Sequence, residues 1–198
     1  MSLGDGLHAV APGKLATVVT HLEMTAPAPL AGAGLDGALR FGAVPSPTTA
    51  FYRDLFTRVG SERWLWTSRL ELSDAALGDI LGDADTGLWT LWRGDRAEAM
   101  LELDFREDGD CELAFFGLTP GLIGTGAGRF LMDRAIELAW AHPIRRFHVH
   151  TCTLDSPGAL EFYRRSGFVA VRREVEIFDD PRVTGEMPAE YGPGIPLI

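Results

Sequence analysis

Hydrophobic and polar residues change period along this chain, and each change marks an element. Leu15 to Met24 is β-branched and alternating, the pattern of a half-buried strand. Residues 25–48 are rich in Pro, Ala and Gly and read as a long loop. Between Thr48 and Val59, Phe51, Leu55 and Val59 recur at intervals of four, which predicts a helix. A second helix opens at the capping residue Ser73 and runs to Leu81. Thr86–Trp92, Ala97–Phe105 and Cys111–Leu118 read as three strands in a meander. A helix over Gly126–Ala141, with Leu131, Ala135, Leu138 and Ala139 on one face, leads to a strand over Arg146–Cys152. A helix over Ser156–Ser166 and a last strand over Phe168–Ile177 complete the pattern.

This order predicts a mixed α/β fold: a central, mostly antiparallel sheet of six or seven strands with helices on both faces. The strands holding Leu118 and Arg146 are expected to run parallel, because a right-handed crossover through the intervening helix requires it. Residues 1–178 read as one domain and residues 179–198, with four prolines, as an irregular tail. No internal repeat is visible.

One junction carries chemistry. The strand ending at Leu118 runs into a loop holding Gly121, Gly124, Gly126 and Gly128, and a helix opens directly from it. Glycines let the backbone approach a ligand, and the unpaired N–H groups of the first helical turn favour an anion. The junction is therefore a seat for phosphate or pyrophosphate. It is not a P-loop, which needs a lysine after its last glycine; the only lysine here is Lys14. It is not a dinucleotide fingerprint either, since the third glycine falls on Leu131. Gly32-Ala-Gly-Leu-Asp-Gly37 matches that fingerprint literally, but it follows a Pro/Ala stretch and opens no helix.

The segment Ile123-Gly-Thr-Gly126-Ala-Gly128 resembles the acyl-CoA loop Q/R-x-x-G-x-G/A of the GCN5-related N-acetyltransferase (GNAT) family. Ser156-Pro-Gly-Ala159-Leu-Glu-Phe-Tyr163-Arg-Arg-Ser-Gly167-Phe168 resembles the family's downstream signature. The resemblance covers residues 85–178, with the N-terminal part matching more loosely. Ile123 replaces the polar residue that opens the loop, and Ser156 replaces an asparagine. The resemblance implies a GNAT fold and an N-acetyltransferase using acetyl-CoA, with no metal. Its cofactor contacts would come from Phe116, Gly117, Leu118, Ile123, Gly124, Thr125, Gly126, Ala127, Gly128, Arg129, Ser156, Ala159 and Tyr163. The alternative, invited by Ile123 and Ser156, is a catalytically inactive acyl-CoA-binding regulatory module.

The resemblance also implies roles in acetyl transfer. Tyr163 matches the tyrosine that protonates the departing CoA sulfur. Glu112 stands eleven residues before Ile123, where the histone-acetylating branch carries its glutamate base. Strand register bears on Glu112 independently. A three-residue turn at Glu107-Asp108-Gly109 pairs Leu101, Leu103 and Phe105 with Phe115, Leu113 and Cys111, an apolar face; a two-residue turn sets Phe105 against Glu112. In the first register Asp104 lies opposite Glu112, with Glu102 next on that face. Like charges across a ladder are costly, so one carboxylate is expected to have a raised pKa suited to a general base. The competing reading is a solvated acidic face.

Trp64 and Trp66 fall where the family lines its acceptor site, and Glu23 shares a strand face with His21 that could reach the acceptor. His148, His150 and Cys152 alternate on one strand; without a second Cys/His pair they read as strand packing rather than a zinc site. The formal charge of −10 disfavours nucleic acid and suits a cationic small-molecule or peptide amine acceptor. Cys111 and Cys152 imply no disulfide framework. With no run of some 18 apolar residues and no signal segment, the chain reads as cytoplasmic and independent of membranes. A homodimer is compatible with this reading.

Overall fold

The computed structural model describes residues 3–198. Alternation at the N-terminal end becomes β1 (Lys14–Met24), whose buried Leu15, Thr17, Val19, Leu22 and Met24 face packed neighbours. A short strand β2 (Arg40–Ala43) interrupts the segment read as loop. It pairs antiparallel with β3 (Thr86–Arg93), setting Phe41 against Leu91. Four residues with a central Gly42 show no alternation by themselves, and pairing alone makes them a strand.

Helix α1 (Thr49–Phe56) is capped by the Thr48 hydroxyl and continues through a π turn (Thr57–Ser61) into α2 (Glu62–Trp64). The sequence face Phe51–Leu55–Val59 therefore spans two helical geometries. Helix α3 (Asp74–Gly82) follows its Ser73 cap. After β3 come β4 (Arg96–Ala97), β5 (Ala99–Asp104) and β6 (Asp110–Leu118), then α4 (Ala127–Trp140), β7 (Arg146–Cys152), α5 (Ala159–Arg165) and β8 (Val169–Asp179).

The sheet has eight strands in the order β2-β3-β5-β6-β7-β1-β8, with β4 paired to β3. All pairs are antiparallel except β6 and β7, which are parallel and joined through α4. Short β2 and β4 account for the excess over the expected six or seven. On one face Leu131, Met132, Ala135, Ile136 and Ala139 of α4 pack on Leu101, Leu103, Phe147 and Val149. On the other, Tyr52, Leu55, Phe56, Val59 and Leu77 pack on Leu88 and Met100. Alternation along β5 sends Leu101 and Leu103 to one core and Met100 to the other.

Two features of β6 differ from the expected register. Leu103 pairs with Leu113 and Asp104 with Glu112 as expected, but Ala114 has no partner and the ladder resumes at Glu102–Phe115. Leu101 therefore meets Phe116 rather than Phe115. Phe105 leaves the ladder, its N–H bonding Asp85. A bulge of this kind bends and twists its strand. Pairing between β6 and β7 stops after Glu112–His148, so the two strands diverge towards Leu118.

Residues 180–198 contain no helix or strand but are packed. The Arg182 guanidinium is buried against the Asp180 carboxylate and donates to the carbonyls of Tyr191, Ile195 and Pro196 at 3.2, 2.9 and 3.3 Å. Gly192 N–H donates to Glu62 O at 2.9 Å, tying the segment to α2. Met187, Tyr191 and Ile195 pack with Leu15, Leu65 and Phe178.

Candidate active site

Where β6 and β7 part, a cavity of about 770 Å³ opens. One wall is β6 from Leu113 to Leu118, another is the glycine loop with Arg129, and a third is α5 with Ser156, Ala159, Phe162 and Tyr163. The far end is formed by residues 64–68, Glu71, Glu176 and Phe178.

The loop needs glycine at two positions. Gly124 and Gly126 have φ of 80° and 91°, a region L side chains rarely adopt, and a Cβ on either would project into open space. Gly126 is also the N-cap of α4 and offers no capping side chain. Among the described residues, the N–H groups of Gly124, Gly126 and Gly128 donate to no other group of the chain. Unpaired donors beside an open cradle at a helix N-terminus match the needs of a phosphate group. Gly128 serves packing, its Cβ position being 3.4 Å from Leu118 Cδ1. Ile123 is 51% exposed. Of the expected cofactor contacts, Thr125 and Ala127 do not line the cavity. The Thr125 hydroxyl turns back to Leu122 O at 2.8 Å, and Ala127 packs into the core.

Tyr163 lines the cavity from α5, its ring edge-on to Phe116 and Phe168. Burial raises its phenol pKa and the Asp155 carboxylate adds to the rise, so the hydroxyl stays protonated across the working pH range. Cys152 also lines the cavity; burial and then Asp155 raise its thiol pKa.

Trp66 forms the wall opposite. A Cβ on Gly60 would lie 2.0 Å from its ring, and one on Gly117 would lie 3.3 Å from it. The indole thus needs bare backbone in the π turn, whereas on β6 a Cβ at Gly117 would clash chiefly with Val59 Cγ1 at 2.4 Å. Its Nε1–H donates to Asp155 Oδ1 at 3.0 Å, and its ring packs with Phe56 and Phe115. The other Asp155 oxygen accepts from Thr151 Oγ1 and Cys152 N at 2.8 and 2.9 Å.

The carboxylates require correction. Glu112 and Asp104 face each other across the ladder, yet neither lines the cavity, and both are held below the ordinary carboxylate range. Burial works to raise Asp104, but hydrogen bonds and charge from Arg106 outweigh it. Glu112 is lowered chiefly by His150, whose Nδ1 lies 3.5 Å from Glu112 Oε1. Asp104 still acts to raise Glu112, but the partners Arg106 and His150 outweigh the effects that suggested a raised pKa. Glu102 is buried, accepting from Tyr52 Oη and Arg69 Nη2 at 2.5 and 2.7 Å. Glu23 pairs with His148 and lies outside the cavity. Trp64 and Trp66 do line it. Sequence reasoning missed His150, Asp155, Glu71 and Glu176; the alternation of His148, His150 and Cys152 was the available signal for the first.

The family model described as the Acetyltransferase (GNAT) family matches residues 49–168 of the 198. The chain belongs to that family. Its glycine loop and most of the sheet fall inside the matched span. The fold resembles a GCN5-related N-acetyltransferase from Sphaerobacter thermophilus at 13% identity and TM-score 0.60, covering 87% of this chain and 53% of that one. It also resembles one from Kribbella flavida at 16% identity and TM-score 0.56, covering 87% and 63%. A functionally unknown conserved protein from Staphylococcus epidermidis aligns at 13% identity and TM-score 0.59, covering 84% and 63%. This chain therefore spans only about half to two-thirds of those proteins' length. No curated protein matches it in sequence. Among the described residues no helix is long and apolar enough to cross a membrane.

Proposed function

We propose that the chain is an N-acetyltransferase that moves the acetyl group of acetyl-CoA to a primary amine by direct attack within a ternary complex. The observation that carries this reading is that the unpaired loop N–H groups and Tyr163 border the same cavity between the diverging strands. The N–H groups of Gly124, Gly126 and Gly128, with Arg129 beside them, would hold the pyrophosphate. Beyond Glu112 the β7-facing backbone of β6 has no ladder partner, so Phe116–Leu118 offers donors and acceptors to the pantetheine amides. Ser156 and Ala159 complete that side.

Acetyl transfer forms a C–N bond and breaks a C–S bond. Two protons move: the attacking amine loses one and the departing sulfur gains one. Tyr163, kept protonated by its surroundings, donates to the sulfur and is reprotonated from solvent through the open cavity before the next turnover. The protonated state of Cys152 disfavours an acyl-enzyme, which needs a thiolate. Trp64, Trp66, Glu71 and Glu176 shape the acceptor end, where the two carboxylates favour a cationic amine.

Thiol release from acetyl-CoA across an amine panel, with products identified by mass spectrometry, tests this reading. Intersecting lines in two-substrate kinetics are expected. Ping-pong kinetics or acetylated Cys152 would overturn direct attack, and acetyl-CoA binding without release would identify a regulatory module.

A further inference from the structure

His150 occupies the boundary between the cavity and the acidic patch behind it. It lines the cavity from β7, two residues beyond the last β6–β7 pair, while Glu112 stays outside. Its Nδ1 is 3.5 Å from Glu112 Oε1 on β6. Its cross-strand partner on β1 is His21, with ring centroids 6.0 Å apart, and His21 Nε2 is itself 2.8 Å from Glu174 Oε2 on β8. Asp155, in the loop leading to α5, and Glu176 on β8 also act on His150, and His148 precedes it on the same strand face. Acidic charge therefore reaches this imidazole from several elements, with Glu112 giving the closest contact.

We propose that His150 takes the proton from the attacking amine, and that Glu112 is a positioning residue acting through His150 Nδ1. This rests on the acetyl-transfer reading above. With Nδ1 turned to the carboxylate, Nε2 is the ring nitrogen left to accept the amine proton, which then passes to solvent from this exposed side chain. Glu112 stabilises the imidazolium that results, in the manner of a carboxylate orienting a catalytic histidine. The direction of the pKa shift agrees: Glu112 raises His150 above the ordinary imidazole value, outweighing the partial desolvation of a side chain that is 54% exposed.

Two variants separate this arrangement from one in which Glu112 is itself the base. His150→Gln should lower kcat roughly 100-fold or more and remove the acidic limb of the kcat/KM profile. Glu112→Gln should keep that limb but move it to lower pH, because the imidazole loses its nearby anion. Loss of the limb in Glu112→Gln with its retention in His150→Gln overturns the proposal. A separate reading comes from NMR titration of the His150 ring, without turnover. Its midpoint should fall in Glu112→Gln, and an unchanged midpoint also overturns the proposal. Absence of thiol release with every amine would instead overturn the transfer reading, so the two failures are distinguishable.

Discussion

Trp66 Nε1 donates to Asp155 Oδ1 at 3.0 Å, bridging the turn after α2 to the loop between β7 and α5 across the cavity. Trp66→Phe removes that donor while keeping an aromatic ring between Gly60 and Gly117. The Asp155 carboxylate retains Thr151 and Cys152 N–H. Loss of one hydrogen bond to a carboxylate is expected to lower stability by about 1.5–3 kcal/mol in urea unfolding. If Trp66 lines the acceptor end as proposed, the KM for the amine should rise while that for acetyl-CoA stays constant. Equal changes in both constants would place Trp66 elsewhere in function.

Gly126 tests the donor seat. Gly126→Ala puts a Cβ on a residue at φ 91°, and strain of about 1–2 kcal/mol should appear in unfolding measurements. Gly126→Trp should add obstruction in the open space above the loop and abolish the heat of acetyl-CoA binding in calorimetry. Circular dichroism should remain that of the parent. Unchanged acetyl-CoA affinity would exclude this loop as the seat.

Tyr163→Phe should lower kcat about 100-fold with little change in acetyl-CoA affinity, since the hydroxyl acts chiefly as sulfur departs. The raised phenol pKa has a second consequence. An alkaline limb below about pH 10 should not arise from Tyr163, whose unperturbed value already lies there. Such a limb, if present in the parent and absent in Tyr163→Phe, would contradict the burial assigned to this ring.

Asp180 links the C-terminal segment to acid stability. Hydrogen bonds from Arg182 hold its pKa below the ordinary value. A carboxylate lowered on folding contributes stability in full above its unfolded pKa of about 3.9, and that contribution is lost as pH falls through the folded value. Asp180→Asn should cost about 3–5 kcal/mol at neutral pH by leaving the buried Arg182 charge without its counter-charge, and the gap from the parent should narrow below about pH 4. Urea unfolding at pH 7 and pH 3 measures both. A gap independent of pH would show that the pair is not ionised in the folded protein.

Alternation marked β1, β6 and β7 in the sequence, and intervals of four marked α1 and α4, because those periods follow from the geometry of each element alone. The glycine loop was legible for the same reason: φ of 80° and 91° at Gly124 and Gly126 is a local demand that residue type answers. Asp104 opposite Glu112 was also legible, since one turn sets that register. Other features depended on residues far along the chain. Strand β2 exists through its pairing with β3, and the Ala114 bulge alters which side chains meet beyond Leu113. Arg106 and His150 reversed the pKa direction expected at Asp104 and Glu112. The proline-rich tail is ordered by one buried arginine. Sequence by itself determined most of the elements, their order and the glycine loop that opens α4, which short-range sterics dictate. Only the tertiary structure decided which side chains border the cavity, because strand divergence and charge pairing arise when distant segments pack together.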